Sequence, residues 1–190
     1  MLTDLSNDES KRRAAIDLLK NPDKGRDEAL KKYTQLVCQL LKMPMGFVSI
    51  LDDEKQYHNS AQSIVVAETN LGEEFCVQTL KQGETIICDD THQHPIFRRY
   101  QAVREAPFIR FYAGCPLKTR DGVAVGTLCI LDIQPRILSD EQIGIFETLA
   151  ELISDFLASW HALAYIDVVT LLPNRQRLLK DIEILAVGAF

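Results

Sequence analysis

One stretch in the second half of the chain, residues 109–132, constrains the fold more than any other part of the sequence. It reads IRFYAGCPLKTRDGVAVGTLCILD, two apolar runs separated by the Asp-Gly dipeptide at 121–122. Asp-Gly favours the positive φ angles of a tight turn, so the stretch predicts a long β-hairpin. A two-residue loop would pair Gly114 with Cys129, whereas a three-residue loop would break that register. Such a hairpin needs further strands and covering helices, which makes it the centre of a predicted sheet.

Side chains alternate along a strand, so the predicted hairpin has two different faces. The apolar face is expected to lie under helices and consists of Ile109, Phe111, Ala113, Cys115, Leu117, Ala124, Gly126, Leu128 and Ile130. The mixed face consists of Arg110, Tyr112, Gly114, Lys118, Thr127, Cys129 and Leu131. Its glycine leaves space, and its arginine and tyrosine bring polar groups. The mixed face therefore suits the floor of a small pocket, with a half-solvated sheet face as the alternative.

The flanking sequence predicts the rest of the sheet and its helices. Apolar side chains at steps of three and four residues predict a helix with the stripe Leu30, Tyr33, Val37, Leu40 and Leu41. The almost continuous apolar run at 46–51 predicts a central strand. Shorter elements are predicted at residues 7–20 (helix), 56–63 (edge strand), 73–81 (helix) and 85–88 (strand). The unpatterned connection at 89–108 is typical of a functional or mobile segment.

The sequence after the hairpin predicts one long helix. Ser139 and Gln142 form a capping-box pattern, and apolar residues recur at helical spacing as far as Ala164, about seven turns. The first half of this helix can cover the sheet, and its last turns extend beyond the domain. We expect the terminal helices to form a homodimer and the long helix to link to a further domain.

Composition and charge exclude several classes of partner. The net charge of −6 comes without a basic cluster, so nucleic acid is not expected as a partner. No apolar run approaches the roughly 20 residues of a membrane span, and the polar N-terminal sequence is unlike a signal peptide. We therefore expect a cytoplasmic protein with no membrane partner. The five cysteines are an odd number without C-x-x-C spacing, which indicates reduced, buried thiols.

Several linked motifs give the chain a resemblance to a known family. They are EFC-x-x-TL at 74–80, CDD at 88–90, FYAGCPL at 111–117, GTLC at 126–129 and D-x-x-PR-x-LS at 132–139. In this order they resemble the GAF domains of bacterial signalling proteins, over roughly residues 29–157. The resemblance implies an α+β fold with a central antiparallel sheet of five or six strands. It also implies terminal helices on one face and, on the other, a pocket roofed by the short helix and the loop.

A second resemblance covers the C-terminal tail. The segment DVVTLLPNR at 167–175 is similar to the opening of a GGDEF diguanylate cyclase domain, where D-x-L-T-G-L-x-N-R is usual. Val169 replaces the leucine and Leu171 replaces the glycine, and the chain stops before the metal-binding carboxylates of such a domain could occur. We therefore expect an N-terminal helical segment (1–25), a GAF sensor domain (26–158), and a linker helix with the truncated start of a GGDEF domain (159–190).

Together these features predict a regulatory domain that is not itself catalytic. An unknown small molecule would bind between the mixed sheet face and its roof, and the C-terminal helix would transmit its presence to a diguanylate cyclase in cyclic di-GMP signalling. The predicted ligand-binding residues are Cys76, Asp89, Arg110, Tyr112 and Cys129. The planar donor fork of Arg110 favours an anionic ligand. In the alternative, Arg110 pairs with Asp89 or Glu105 and only ties the loop to the sheet.

Two further interpretations stay open from the sequence. Free methionine sulfoxide reductases are GAF-like folds with cysteines around the pocket, and Cys76, Cys88 and Cys129 could serve such a thiol enzyme. A GAF domain that dimerises without binding a ligand is the other interpretation. No cofactor and no metal site are predicted, because the pair His92-x-His94 fits no common zinc spacing.

Overall fold

The computed structural model describes residues 24–51, 56–61 and 73–165, together with Ile16 and Leu19. Its centre is one antiparallel sheet of five strands in the order β2-β1-β5-β4-β3. The strands are β1 (Met45–Leu51), β2 (Gln56–Ala61), β3 (Ile86–Cys88), β4 (Phe111–Lys118) and β5 (Ala124–Asp132). The helices are α1 (Lys24–Leu41), α2 (Glu73–Gln82), α3 (Gln101–Arg104) and α4 (Asp140–Tyr165), with a 3₁₀ turn at Phe97–Arg99. The predicted α+β architecture is confirmed, with β1 inside the sheet and β2 at its edge.

The hairpin of β4 and β5 keeps the predicted register although its loop is longer than predicted. Gly122 donates its N–H to the carbonyl of Thr119 at 2.9 Å, and Thr119 donates to the carbonyl of Val123 at 2.8 Å, which closes a three-residue loop. Gly122 has φ +80°, the conformation that the Asp-Gly signal predicts. A β-bulge in β5 then restores the pairing of Gly114 with Cys129.

The bulge changes which side chains face α1 and α4. Val125 is the extra residue of β5, and it is buried on this face where Ala124 was expected.

Ile109 was expected on the same face but packs on the opposite one. It precedes β4, and its N–H donates to the carbonyl of Ala102 at 2.8 Å. The strand alternation therefore does not extend to Ile109, because this bond holds it beside α3.

The helices α1 and α4 cover one face of the sheet and enclose the larger hydrophobic cluster. Their buried residues are Arg26, Leu30, Thr34, Val37, Cys38 and Leu41 on α1, and Phe146, Leu149, Ala150, Ile153 and Leu157 on α4. Ile16 and Leu19 are buried in the same cluster, and the rest of the predicted 7–20 helix lies outside the described residues. Leu40 is 50% exposed, so its predicted place in the buried stripe is wrong. Val37, Cys38 and Leu41 define the buried side of this turn, and Leu40 lies outside it.

The long helix α4 begins at the predicted capping box. The N–H of Ser139 donates to Oε1 of Gln142 at 3.0 Å, and the N–H of Gln142 donates to Oγ of Ser139 at 3.2 Å. The two residues thus satisfy each other's free backbone donors at the start of a 26-residue helix. Within the described part of the chain, no helix combines the length and apolar character needed to cross a membrane.

The opposite face of the sheet is covered by α2, the 3₁₀ turn and α3, which enclose a second hydrophobic cluster. Its buried residues are Met45, Phe47, Phe75, Cys76, Ile86, Cys88, Phe97, Ala102, Val103, Ile109, Tyr112, Cys129 and Leu131. Tyr112, Thr127 and Cys129 have no exposed surface, so the alternative of a half-solvated face is wrong. The connection at 89–108 is also more regular than predicted, because it contains both short helices.

Candidate functional site

Six polar side chains converge between α2 and the middle of the sheet, and we call them the thiol–hydroxyl cluster. Its members are Ser49, Cys76, Thr79, Tyr112, Thr127 and Cys129, none of which has exposed surface. The hydroxyl groups of Thr79 and Tyr112 lie 2.6 Å apart. The Sγ atoms of Cys76 and Cys129 lie 3.5 Å apart, and Cys129 lies 3.4 Å from the Tyr112 hydroxyl. The cluster therefore brings together three of the five predicted ligand residues, namely Cys76, Tyr112 and Cys129.

Further bonds extend the cluster across two strands of the sheet. Ser49 on β1 lies 3.2 Å from the Thr127 hydroxyl on β5, and it donates to Sγ of Cys76 at 3.5 Å. Cys129 donates to Thr127 at 3.3 Å. Because buried polar groups are costly when they lack partners, these bonds are what allows the polar atoms to lie inside the core.

The space left by Gly114 is filled by the side chain of Tyr112. A Cβ atom at position 114 would collide with the Tyr112 hydroxyl, and it would lie 2.6 Å from Oγ1 of Thr79 and from Cζ of Tyr112. The phenol thus extends along the strand across the glycine, and its hydroxyl also donates to the carbonyl of Phe75 at 3.3 Å. The predicted pocket floor is therefore occupied by a side chain of the protein itself.

Aromatic rings enclose the Tyr112 phenol. The Phe75 ring stacks on it with centroids 4.7 Å apart, and the Phe97 ring meets it edge to face at 5.5 Å. The Tyr100 ring packs against Phe75 at 5.1 Å. These rings come from α2 and from the connection between β3 and β4, so the roof and the floor are in direct contact.

Burial favours the neutral forms of Tyr112, Cys129 and Cys88. It raises the pKa of Tyr112 well above its ordinary value, and the neighbouring thiols Cys129 and Cys76 add to the effect. Burial likewise raises the pKa of Cys129, and it raises that of Cys88 to about 11. A catalytic thiol needs a lowered pKa and access to solvent. The geometry therefore gives no support to the thiol-enzyme interpretation.

Arg110 and Asp90 form a two-point ion pair at the end of β3. Nε and Nη2 of Arg110 donate to the two carboxylate oxygens of Asp90 at 2.9 and 2.8 Å. Hydrogen bonds from Arg110 are the main cause that lowers the pKa of Asp90 to about 2. The donor fork of Arg110 is thus engaged within the chain, as in the alternative interpretation, although its partner is neither Asp89 nor Glu105.

The loop after β3 is fixed by side-chain bonds to its own backbone. Oγ1 of Thr91 donates to the carbonyl of Ile109 at 2.6 Å. Nδ1 of His94 accepts the backbone N–H groups of Ile96 and Phe97 at 3.3 and 3.2 Å, and the imidazole stacks on the Phe97 ring at 4.0 Å. Burial lowers the pKa of His94, which favours this acceptor form. His94 therefore shapes the loop.

Asp89 lies apart from the other predicted ligand residues that face α2. Its side chain is exposed, and it lines a cleft of 860 Å³ between the loop after β3 and residues 135–137 after β5. The N–H of Arg136 donates to the backbone carbonyl of Asp89 at 3.0 Å and joins the two walls. We call this the Asp89 cleft. The five predicted residues are thus divided among the cluster, the Arg110–Asp90 pair and this cleft.

Several residues of the site were missed from the sequence. Thr79 and Asp90 lie inside motifs that carried the family resemblance, so position in those motifs was the available signal. Thr127 was predicted on the mixed face, whereas Ser49 was missed, because only its pairing with Thr127 across β1 and β5 brings it to the site. No pattern along the chain indicates that pairing.

The two faces of the sheet are coupled through β4. Tyr112 points to the thiol–hydroxyl cluster, whereas Ala113 and Leu117 are buried in the core under α1 and α4. At the end of β4, the N–H of Lys118 donates to Oγ of Ser154 on α4 at 3.2 Å. β4 therefore contacts both the thiol–hydroxyl cluster and α4.

Comparison with known families agrees with this architecture. The sequence profile described as the GAF domain matches residues 25–156. The chain belongs to the GAF domain family. GAF domains are generally regulatory. The second resemblance, to the opening of a GGDEF domain, falls on residues outside those that the structure describes, and it stays a prediction.

Individual relatives include a cyclic di-GMP phosphodiesterase of Pseudomonas aeruginosa, which is 30% identical over 178 residues. The match covers 93% of this chain but only 30% of that protein's length. The GAF domain of a phosphoenolpyruvate-protein phosphotransferase from Coxiella burnetii is similar in structure, with a TM-score of 0.62 and 20% identity over 81% of this chain and 95% of that one. A type II free methionine-R-sulfoxide reductase from Thermoplasma acidophilum has a TM-score of 0.54 and 18% identity over 70% and 96%. At these identities the two structures share the fold alone.

Proposed function

We propose that this GAF domain is a non-catalytic regulatory part of a longer protein of cyclic di-GMP signalling. The P. aeruginosa relative supports the signalling system, since its name is that of a phosphodiesterase of this molecule. The GGDEF-like segment at 167–175 favours a diguanylate cyclase as the output domain. Synthesis and hydrolysis of the same second messenger are thus the two outputs to be distinguished by experiment.

The observation that carries the regulatory role is the sharing of β4 between the two faces of the sheet. A small molecule that competes with the Tyr112 hydroxyl for Thr79 and Cys129 would displace the phenol from its place over Gly114. Because β4 also packs under α4 and bonds to Ser154, such a displacement would change the equilibrium between two positions of α4. Cys76, Tyr112 and Cys129 are the proposed ligand contacts. We propose no cofactor for this domain.

We propose a homodimer as the working assembly. α1 and α4 are in contact, and they expose the large apolar side chains of Leu36, Leu40 and Leu152 at 42, 50 and 49%. A second copy of the same helix pair would cover these side chains. The compartment is proposed to be the cytoplasm, which agrees with five free, buried cysteines.

The test is an assay of the longer protein for both synthesis of cyclic di-GMP from GTP and its hydrolysis. Tyr112→Phe removes the hydroxyl at the centre of the cluster, and Tyr33→Phe makes the same chemical change on α1 as a matched control. We expect Tyr112→Phe to change the measured activity severalfold and Tyr33→Phe to leave it unchanged. Absence of both activities would overturn the proposal that the longer protein takes part in cyclic di-GMP signalling. An activity that neither variant alters would overturn the regulatory coupling.

A further inference from the structure

The charges around the Asp89 cleft do not balance. Two guanidinium groups lie at this end of the sheet, and each is held by a carboxylate: Arg110 by Asp90 at 2.8 Å, and Arg136 by Asp132 at 2.6 Å. Asp89 has no hydrogen-bond or ion-pair partner for its carboxylate among the residues that the structure describes. One negative charge is thus left uncompensated in the cleft, and it attracts a cation and repels an anion.

The remaining walls of the cleft combine apolar surface with one imidazole ring. Pro95, Pro135 and Ile137 line it, and Ile137 is 84% exposed. His94 also lines it, and its Nδ1 is occupied by two backbone N–H groups. The neutral imidazole therefore carries its proton on Nε2, where it can donate. Apolar walls with a few fixed polar groups are typical of small-molecule sites, and the cleft volume of 860 Å³ lies within their usual range of roughly 300–1,000 Å³.

We propose that the Asp89 cleft binds a small organic molecule that carries a primary ammonium group on a short apolar body. The ammonium group pairs with the Asp89 carboxylate, and the apolar body covers Ile137 and the two prolines. From the sequence, Arg110 was expected to bind an anion. Both of its donors are bonded to Asp90, and the free charge in the cleft is the carboxylate of Asp89, so the proposed ligand is a cation. The site is separate from the thiol–hydroxyl cluster, and binding there does not depend on the proposed regulatory function.

The test uses three linear probes of six carbons each with different head groups: n-hexylamine, n-hexanol and hexanoate. Each is titrated at pH 7 into the isotopically labelled full chain, and the amide signals of Gln93, Arg136 and Ile137 are followed by NMR. We expect saturable shifts with n-hexylamine, and an affinity for n-hexanol and hexanoate lower by about 10- to 100-fold, the range for a hydrogen bond to a charged group. Equal affinities for the three probes, or no saturable shift with n-hexylamine, would overturn the proposal.

Asp89→Asn keeps the side-chain shape and removes the charge, and Asp121→Asn in the hairpin loop is the matched control. We expect Asp89→Asn to weaken n-hexylamine binding by at least about tenfold while n-hexanol binding is unchanged. An unchanged n-hexylamine affinity in Asp89→Asn would remove Asp89 from the site. N-acetyl-lysine amide is a further probe: tighter binding than n-hexylamine would make a protein side chain the ligand and overturn the assignment to a small molecule.

Discussion

Replacing Gly114 with alanine tests whether the Tyr112 phenol fills the predicted pocket floor. The added methyl group would collide with the Tyr112 hydroxyl and lie 2.6 Å from Oγ1 of Thr79. Overpacking of a core costs about 1–3 kcal/mol, and the displaced hydroxyl loses about 1 kcal/mol of hydrogen bonding. The reduced freedom of the unfolded chain offsets about 0.4–1 kcal/mol. We expect Gly114→Ala to lower the free energy of unfolding by about 1–3.5 kcal/mol, measured by urea denaturation with far-UV circular dichroism.

Repeating Gly114→Ala in a variant that lacks the Tyr112 ring shows whether the phenol causes the loss of stability. In Tyr112→Leu the ring is absent and the contact with Oγ1 of Thr79 remains, so we expect the cost of Gly114→Ala to fall by about 0.5–3 kcal/mol there, the coupling range for residues in contact. Gly144→Ala is the matched control, because nothing lies within 4 Å of the added methyl group on α4. It should stabilise the protein by up to about 1 kcal/mol through helix propensity. Equal costs of Gly114→Ala in both backgrounds would refute the reasoning.

Three other predictions concern charge, assembly and catalysis. The carboxyl group of Asp90 should titrate with a pKa of about 2 in NMR, and Arg110→Met should raise that pKa toward its ordinary value. Since the folded-state pKa is the lower one, the stability from this pair is complete above about pH 4 and is lost as the pH falls toward about 2; no change in Arg110→Met would contradict the pair. Sedimentation at tens of micromolar should show a dimer that Leu40→Glu disrupts and Arg120→Glu does not, with a wild-type monomer counting against the helix interface. The chain with GTP and magnesium should form no cyclic di-GMP, because the role proposed for this domain is regulatory, and any product above the blank would disprove this.

The sheet and its two helical layers were predictable because their signals are local. The Asp-Gly turn, the alternation in β4 and the capping box at Ser139 each specify structure within a few residues of themselves. The register of the hairpin was also correct, although the two-residue loop from which it was predicted is wrong. The three-residue loop shifts the pairing by one residue and the bulge at Val125 shifts it back, and no pattern along the chain indicates either change.

The interior of the site was less predictable because it depends on contacts between distant residues. Gly114 indicates that space exists above the sheet, but not that Tyr112 fills it. Asp90 and Asp89 are neighbours in one motif, and only the direction of each side chain decides which one pairs with Arg110. The pairing of Arg110 with Asp90 leaves the carboxylate of Asp89, rather than the guanidinium group of Arg110, available to a ligand. No pattern in the sequence predicts this pairing, so the expected preference for an anion had no test at that level.

The packing of Arg26 against Trp160 gives the protein an optical reporter of its own. The guanidinium group of Arg26 lies 5.0 Å from the centre of the indole ring, and Arg26 is only 1% exposed. Trp160 is the only tryptophan in the sequence, and it lies on the part of α4 that follows the buried core. Tryptophan fluorescence, excited selectively over the five tyrosines, therefore comes from a single indole whose surroundings depend on whether α4 lies against α1. A movement of α4 would alter emission without any label, and fluorescence could follow it in real time.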